Sequence, residues 1–209
     1  MARDKAELFF RKLKDYYGKP GTALNYSNPF QLLIAVILSA QTTDKQVNKI
    51  TPNLFSRYPT PEKMAGARSE ELEKLIKGIG LYRNKTRALI NCAKKIVNDF
   101  SGEIPDTRED LMSLPGVGRK SANVVLAVVF GKASFPVDTH VFRVSWRLGL
   151  TSGKTPDKVE EEITSIYPEE EWIVFHHLLI SHGRTICKAR KPLCPECPVG
   201  KDCPSYQSF

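Results

Sequence analysis

No apolar stretch in these 209 residues approaches the length of a membrane span; the longest runs are broken by Gln31, Ser39 or Asn123. A helix crossing a bilayer core needs about 20 consecutive apolar residues, so no transmembrane segment is predicted. The N-terminus, Met1-Ala2-Arg3-Asp4-Lys5, opens a charged amphipathic helix and lacks the apolar core of a secretory leader. Secretion is therefore not expected, and the expected compartment is the cytoplasm, nucleoid included. Low-complexity segments and long linkers are missing as well, which leaves a chain able to bury one large core or two smaller lobes. Partner strands are missing too. The valine-rich run 122–130 would suit a buried strand or a buried helix, and it reads as helix because nothing elsewhere offers it a strand to pair with. Cysteine is scarce until the end of the chain. Cys92 falls in a helical apolar stripe with Leu89, Ala93, Ile96 and Val97, which makes it a core residue.

The other four cysteines are crowded into the last 23 residues, as Cys187, Cys194, Cys197 and Cys203 with spacing C-x6-C-x2-C-x5-C. Thiolates this close form one compact ligand set and select zinc or an iron–sulfur cluster over hard cations. Pro192, Pro195, Pro198 and Gly200 bend the chain between them. Two disulfides are the alternative, but nothing else in the sequence points to an oxidising compartment. Zinc sites favour two short cysteine pairs, and only Cys194–Cys197 has that spacing, so the pattern leans towards a cluster without excluding zinc.

The rest reads as helix after helix: 6–17, 30–40, 43–58, 69–77, 82–100, 107–113, 122–130, 138–148, 156–166 and 170–185, an all-α chain. Asn28-Pro29 is an N-cap with proline at the first helical position, and the segment it opens is apolar on every face, as a buried central helix should be. Lys and Arg number 31 against 23 Asp and Glu, a net charge of +8 that favours a polyanionic partner such as nucleic acid. The excess is concentrated. Arg83, Lys85, Arg87, Lys94 and Lys95 lie between Tyr82 and Asn98 with no acid among them, and Lys188, Arg190 and Lys191 do so between Cys187 and Cys194. His176, His177 and His182 read as interior packing residues, and Trp146 and Trp172 as core or interlobe residues.

Two short motifs carry chemistry. Leu114-Pro115-Gly116-Val117-Gly118-Arg119-Lys120 separates two helices. Its glycines permit positive φ and close approach, and its free amides, with the helix N-terminus that follows, suit a phosphate; Val117 should point inward and pin the turn. Lys120 falls in the first turn of that helix. There the macrodipole, Arg119 and any apolar neighbours all favour an uncharged, nucleophilic amine, although a phosphate-contacting lysine would occupy the same place. Further on, Asp138 in Pro136-Val137-Asp138-Thr139-His140 is a natural N-cap, and capping alone would explain it.

Taken together, Ser39-Ala40-Gln41-Thr42-Thr43-Asp44, Gly80-Leu81-Tyr82, the run from Leu114 to Asn123, Val137-Asp138-Thr139-His140-Val141 and the four terminal cysteines resemble the endonuclease III family of helix-hairpin-helix DNA glycosylases. The resemblance spans nearly the whole chain and implies more than spacing does. It implies a six-helix lobe over 22–132 and a second lobe from 1–21 with 133–209, in which Cys187, Cys194, Cys197 and Cys203 hold a [4Fe–4S] cluster. It implies a DNA site between the lobes, with Lys120 as nucleophile and Asp138 as its acidic partner. Gln41 and Leu81 match positions that enter the duplex, and His140 matches one that lines the cleft. Gly116, Val117, Gly118, Lys188 and Lys191 would hold the backbone. The substrate implied is duplex DNA carrying a damaged pyrimidine or an abasic site, bound by a monomer. Mismatch glycosylases of the same superfamily generally lack a lysine at the position of Lys120, and the Lys120/Asp138 pairing separates an enzyme from a DNA-binding module.

Overall fold

The computed structural model describes residues 2–208. Among them the chain is helical without strands: α1 (Ala2–Tyr17), α2 (Pro29–Ser39), α3 (Asp44–Arg57), α4 (Pro61–Ala65), α5 (Ser69–Ile76), α6 (Tyr82–Phe100), α7 (Arg108–Ser113), α8 (Arg119–Phe130), α9 (Thr139–Arg147), α10 (Pro156–Ile166) and α11 (Trp172–Thr185), with short 3-10 turns near the end. No helix among these residues is long and apolar enough to cross a membrane. The chain divides into two compact units, Ala23–Lys132 and one built from the two ends of the chain, up to Thr22 and from Ala133 onward.

The 23–132 unit is arranged around α2, in which every residue from Phe30 to Leu38 is buried. Its start follows from local chemistry: the Asn28 side chain accepts the Gln31 N–H at 2.9 Å, and Pro29 supplies a preset φ where no amide is needed. A helix apolar all round must be surrounded, and α3, α6 and α8 pack against it. That is why the valine-rich stretch is helix α8. Ala122, Val124, Val125 and Leu126 join the core around Leu33, Ile37, Leu89 and Ala93. Cys92 is fully buried in the same core, and burial pushes its thiol up to about 12. The five-residue α4 has no counterpart in the periodicity, because two buried residues, Pro61 and Met64, are too little pattern to read. Its cap is nonetheless written in the sequence, as Thr60 accepting the Lys63 N–H ahead of Pro61.

The other unit has its own core, where Phe9, Phe10 and Leu13 of α1 meet Phe135, Val141, Val144, Ile163, Phe175 and Leu179. The Tyr167 hydroxyl donates to the Ala6 carbonyl at 2.7 Å, a buried bond between residues 161 positions apart. His176 and His182 are buried here as expected, and Trp172 donates to the Tyr167 carbonyl. Trp146 corrects the sequence reading: it is 57% exposed, because α9 turns Val141, Val144 and Ser145 inward and this position out. Replacing Asn28 by Ala should destabilise the 23–132 unit by about 1 kcal/mol in chemical denaturation. An unchanged midpoint would mean that core burial alone fixes the start of α2.

Candidate DNA-repair site

In the 23–132 unit, α7 ends at Leu114, and a tight turn closed by Val117 N–H to Leu114 C=O (3.1 Å) leads into α8. The two glycines of the hairpin serve different ends. Gly116 has φ +86, and a Cβ there would stand 3.1 Å from Ala88 Cβ and 3.3 Å from Ile37 Cγ2, so both backbone and packing require glycine. Gly118 has an ordinary extended φ, and a Cβ there would meet nothing within 4 Å. The protein's own packing does not explain it; open space before a helix N-terminus does suit a close partner. Val117 is buried and its amide is engaged, so its part in the hairpin is packing and not a direct contact. No side chain caps α8, and an uncapped helix N-terminus suits an anion. Lys120 sits in that first turn, exposed, with neither a hydrogen bond nor an ion pair among the described residues.

Gln41 and Leu81 share a rare backbone state, with φ +56 and φ +55. Neither is glycine, and left-handed residues of this kind are costly unless their surroundings hold them. Leu81 is also 58% exposed, an unusual place for a large apolar side chain. The two loops touch: a Cβ on Gly80 would lie 3.6 Å from the Gln41 carbonyl. Lys85, one of the acid-free basic run between Tyr82 and Asn98, is buried, and burial lowers its pKa from the ordinary lysine value.

The other unit carries Asp138, which caps α9. A single oxygen, Oδ1, accepts both the His140 and Val141 amides at 2.8 Å, which leaves Oδ2 for another partner. His140 is half-buried; Arg143 donates to its Nδ1 at 3.1 Å, and burial lowers its pKa despite the opposing pull of Asp138. Gly183 is needed where α11 passes this point, since a Cβ would lie 3.0 Å from His140 Cβ. Arg143 also donates to the Gly183 and Cys187 carbonyls, and Arg147 to those of Lys188 and Ala189. These two arginines, four residues apart on α9, fasten the cysteine loop. Sequence reasoning passed over them, although their spacing on one face of α9 was a signal. Lys188 and Lys191 are exposed on that loop, Lys191 at φ +51.

Cys187, Cys194, Cys197 and Cys203 line one cavity together with Arg147, His182, Pro192 and Tyr206. All four thiols are free. Among the described residues no three His, Cys, Asp or Glu side chains converge tightly enough to hold a single ion. Four thiols lining one cavity are a donor set whose chemistry suits an iron–sulfur cluster. Burial pushes the Cys197 thiol up to about 11 and raises that of Cys203, so thiolates here call for positive charge. Arg147 donates towards Cys187 Sγ, and His182 Nε2 faces Cys197 Sγ, each at 3.5 Å. A Cβ on Gly200 would crowd the Cys194 carbonyl at 3.1 Å, so the loop closes tightly only on glycine.

Residues 34–169 match the HhH-GPD superfamily of base excision DNA repair proteins. Endonuclease III of Synechocystis sp. is 48% identical over 197 residues, covering 94% of this chain and 90% of its own. A solved non-covalent endonuclease III–DNA complex aligns with a TM-score of 0.96 at 42% identity, over 100% of this chain and 98% of its own. A trapped endonuclease III–DNA covalent intermediate aligns with the same score, identity and coverage.

The hairpin glycines can be told apart by substitution. Gly116→Ala should lower stability by about 1 to 3 kcal/mol, from a strained φ and overpacking together. Gly118→Ala should leave the melting temperature within a degree or two and weaken DNA binding. Equal losses of stability in the two variants would contradict the division.

Proposed function

The chain belongs to the endonuclease III family within the HhH-GPD superfamily of base excision DNA repair proteins, and from that premise we propose how its residues divide the work. It is a DNA N-glycosylase and abasic-site lyase that acts on damaged pyrimidines in DNA. The observation that carries the assignment of roles is Lys120: an exposed amine, without a side-chain partner among the described residues, in the first turn of a helix that no side chain caps.

A base inside a duplex shields its own sugar carbon, so the nucleotide must leave the stack. Extrusion costs roughly a few kcal/mol and is cheapest for a base that stacks poorly, such as a ring-saturated pyrimidine. The Gly116–Gly118 hairpin, with Lys188 and Lys191 of the cysteine loop, holds backbone phosphates without reading sequence. Gln41 and Leu81 enter the duplex and fill the space left behind, and His140 lines the cleft beside the sugar. The Lys120 Nζ lone pair then attacks C1′ while the bond from C1′ to the base breaks. The base leaves with that electron pair and takes up a proton. The free Oδ2 of Asp138 faces the positive charge developing on the sugar. Opening of the sugar ring gives an imine on Lys120, which acidifies the C2′ proton; its loss expels the 3′ phosphate, and water releases the lysine. The strand is nicked on the 3′ side.

Cys187, Cys194, Cys197 and Cys203 hold a [4Fe–4S] cluster in this reading, which supplies a four-point cross-link to a loop with little core of its own. The protein works as a monomer on chromosomal DNA in the cytoplasm.

Lys120→Ala should give no borohydride-trapped adduct with lesion DNA while duplex binding survives; a persisting adduct would move the nucleophile elsewhere. Asp138→Asn keeps an equally good helix cap, so it should melt like the wild type while excision falls on the order of 100-fold. Near-normal excision by that variant would reduce Asp138 to a cap. Cys194→Ser should lower bound iron and the melting temperature together, and a variant with full stability but no iron would remove the cluster's structural role.

A further inference from the structure

The last four carbonyls of α2 have no partner within the helix, and each finds one nearby. The Ser39 hydroxyl donates to Val36 C=O at 2.8 Å, the Ala40 amide to Ile37 C=O, and the Thr42 amide to Ser39 C=O. The Leu38 carbonyl has a single donor, the Lys85 ammonium, at 2.9 Å. The same ammonium donates to the Ala40 carbonyl and approaches Thr42 Oγ1 at 3.3 Å. Its acceptors are neutral, on either side of Gln41, and they lie at the negative end of the α2 dipole, which favours a cation. Lys85 itself belongs to the first turn of α6, where its amide donates to the Leu81 carbonyl at 3.0 Å. One residue therefore brackets Gln41 with its side chain and holds Leu81 with its backbone. A second tie runs parallel: Gln46 of α3 donates to the Gly78 carbonyl at 3.2 Å, three residues before Leu81.

Two left-handed non-glycine residues in contacting loops need such a device, because strained conformations persist only where the surroundings over-determine them. We propose that Lys85 is a positioning residue that locks the Gln41 and Leu81 loops into one rigid probe, set before DNA arrives. A lysine serves here because its stem crosses the buried distance from α6 while its ammonium donates to several carbonyls at once. The proposal rests on the reading that Gln41 and Leu81 enter the duplex. It adds that they act as a unit and that the ammonium of residue 85 makes them one. Preset geometry matters in such a task, since a shift of about 1 Å can cost on the order of 100-fold in rate.

The test is a mutant cycle read by single-turnover excision on a duplex with one dihydrouracil. Four proteins are compared: the wild type, Lys85→Met, Gln41→Ala/Leu81→Ala, and all three changes together. Lys85→Met should slow excision roughly 10- to 100-fold while affinity for undamaged duplex stays within a few-fold of wild type, which a collapsed fold would not allow. In the Gln41→Ala/Leu81→Ala background the same change should cost no more than about two-fold, because the loops it positions have lost their side chains. Losses that multiply in the triple variant would overturn the proposal, as would a wild-type rate for Lys85→Met. A wild-type rate for Gln41→Ala/Leu81→Ala is a separate outcome: it removes the intrusion reading, and the proposal with it. Should Lys85→Met fail to fold, Lys85→Gln, which keeps an amide donor without the charge, is taken through the same cycle with the same expectations.

Discussion

At the end of α2 a buried carbonyl would be left without a hydrogen bond if the Lys85 ammonium did not reach across from α6. An unpartnered buried carbonyl costs about 1 to 3 kcal/mol, so the end of this helix and the start of α6 are held together. The same logic recurs wherever this protein carries chemistry. Helix termini leave backbone groups unpaired, and the fold either satisfies them with a side chain or leaves them open for a partner. Asp138 satisfies two amides of α9 with one oxygen and keeps the other. Arg143 and Arg147 reach from α9 to carbonyls in the last turn of α11 and just beyond it. The start of α8 is left open, and it is where Lys120 stands. Helix ends, not helix faces, are the working parts.

With the proposed roles, that arrangement lets one residue serve structure and reaction without conflict. Asp138 would be kept by stability alone, since it caps its helix, yet the geometry of its bonds leaves a carboxylate oxygen unspent. Gly116 and Gly118 look like one motif and divide in the same way. The first is demanded by its positive φ and by the side chains of Ala88 and Ile37, the second by nothing in the protein itself. A position that the fold does not require is one that a ligand can require.

Much of this was legible in the sequence. Asn28-Pro29 gave the start of α2, the apolar content of 30–38 gave its central burial, and the four clustered cysteines do line one cavity. What could not be read shares a cause. Lys85 sits in a run of basic residues, and charge pattern does not say which member of a run points inward; that depends on where α2 ends in space. The left-handed backbone at Gln41 and Leu81 is invisible because neither is glycine or asparagine, the residues that announce such a φ. Trp146 looked like core because it is large and apolar, but the turn of α9 faces it outward. The cysteine spacing left zinc and a cluster both open, and the structure adds that the four thiols line one cavity.

The central claim is that the Lys120 amine bonds to the sugar. The direct measurement is peptide mapping by mass spectrometry of the wild-type protein after borohydride reduction on a duplex with one ring-saturated pyrimidine. The account predicts one cross-linked peptide, with the reduced sugar fragment on Lys120. An adduct on Lys85, Lys188 or the N-terminal amine, or nicking with no adduct at all, would contradict it.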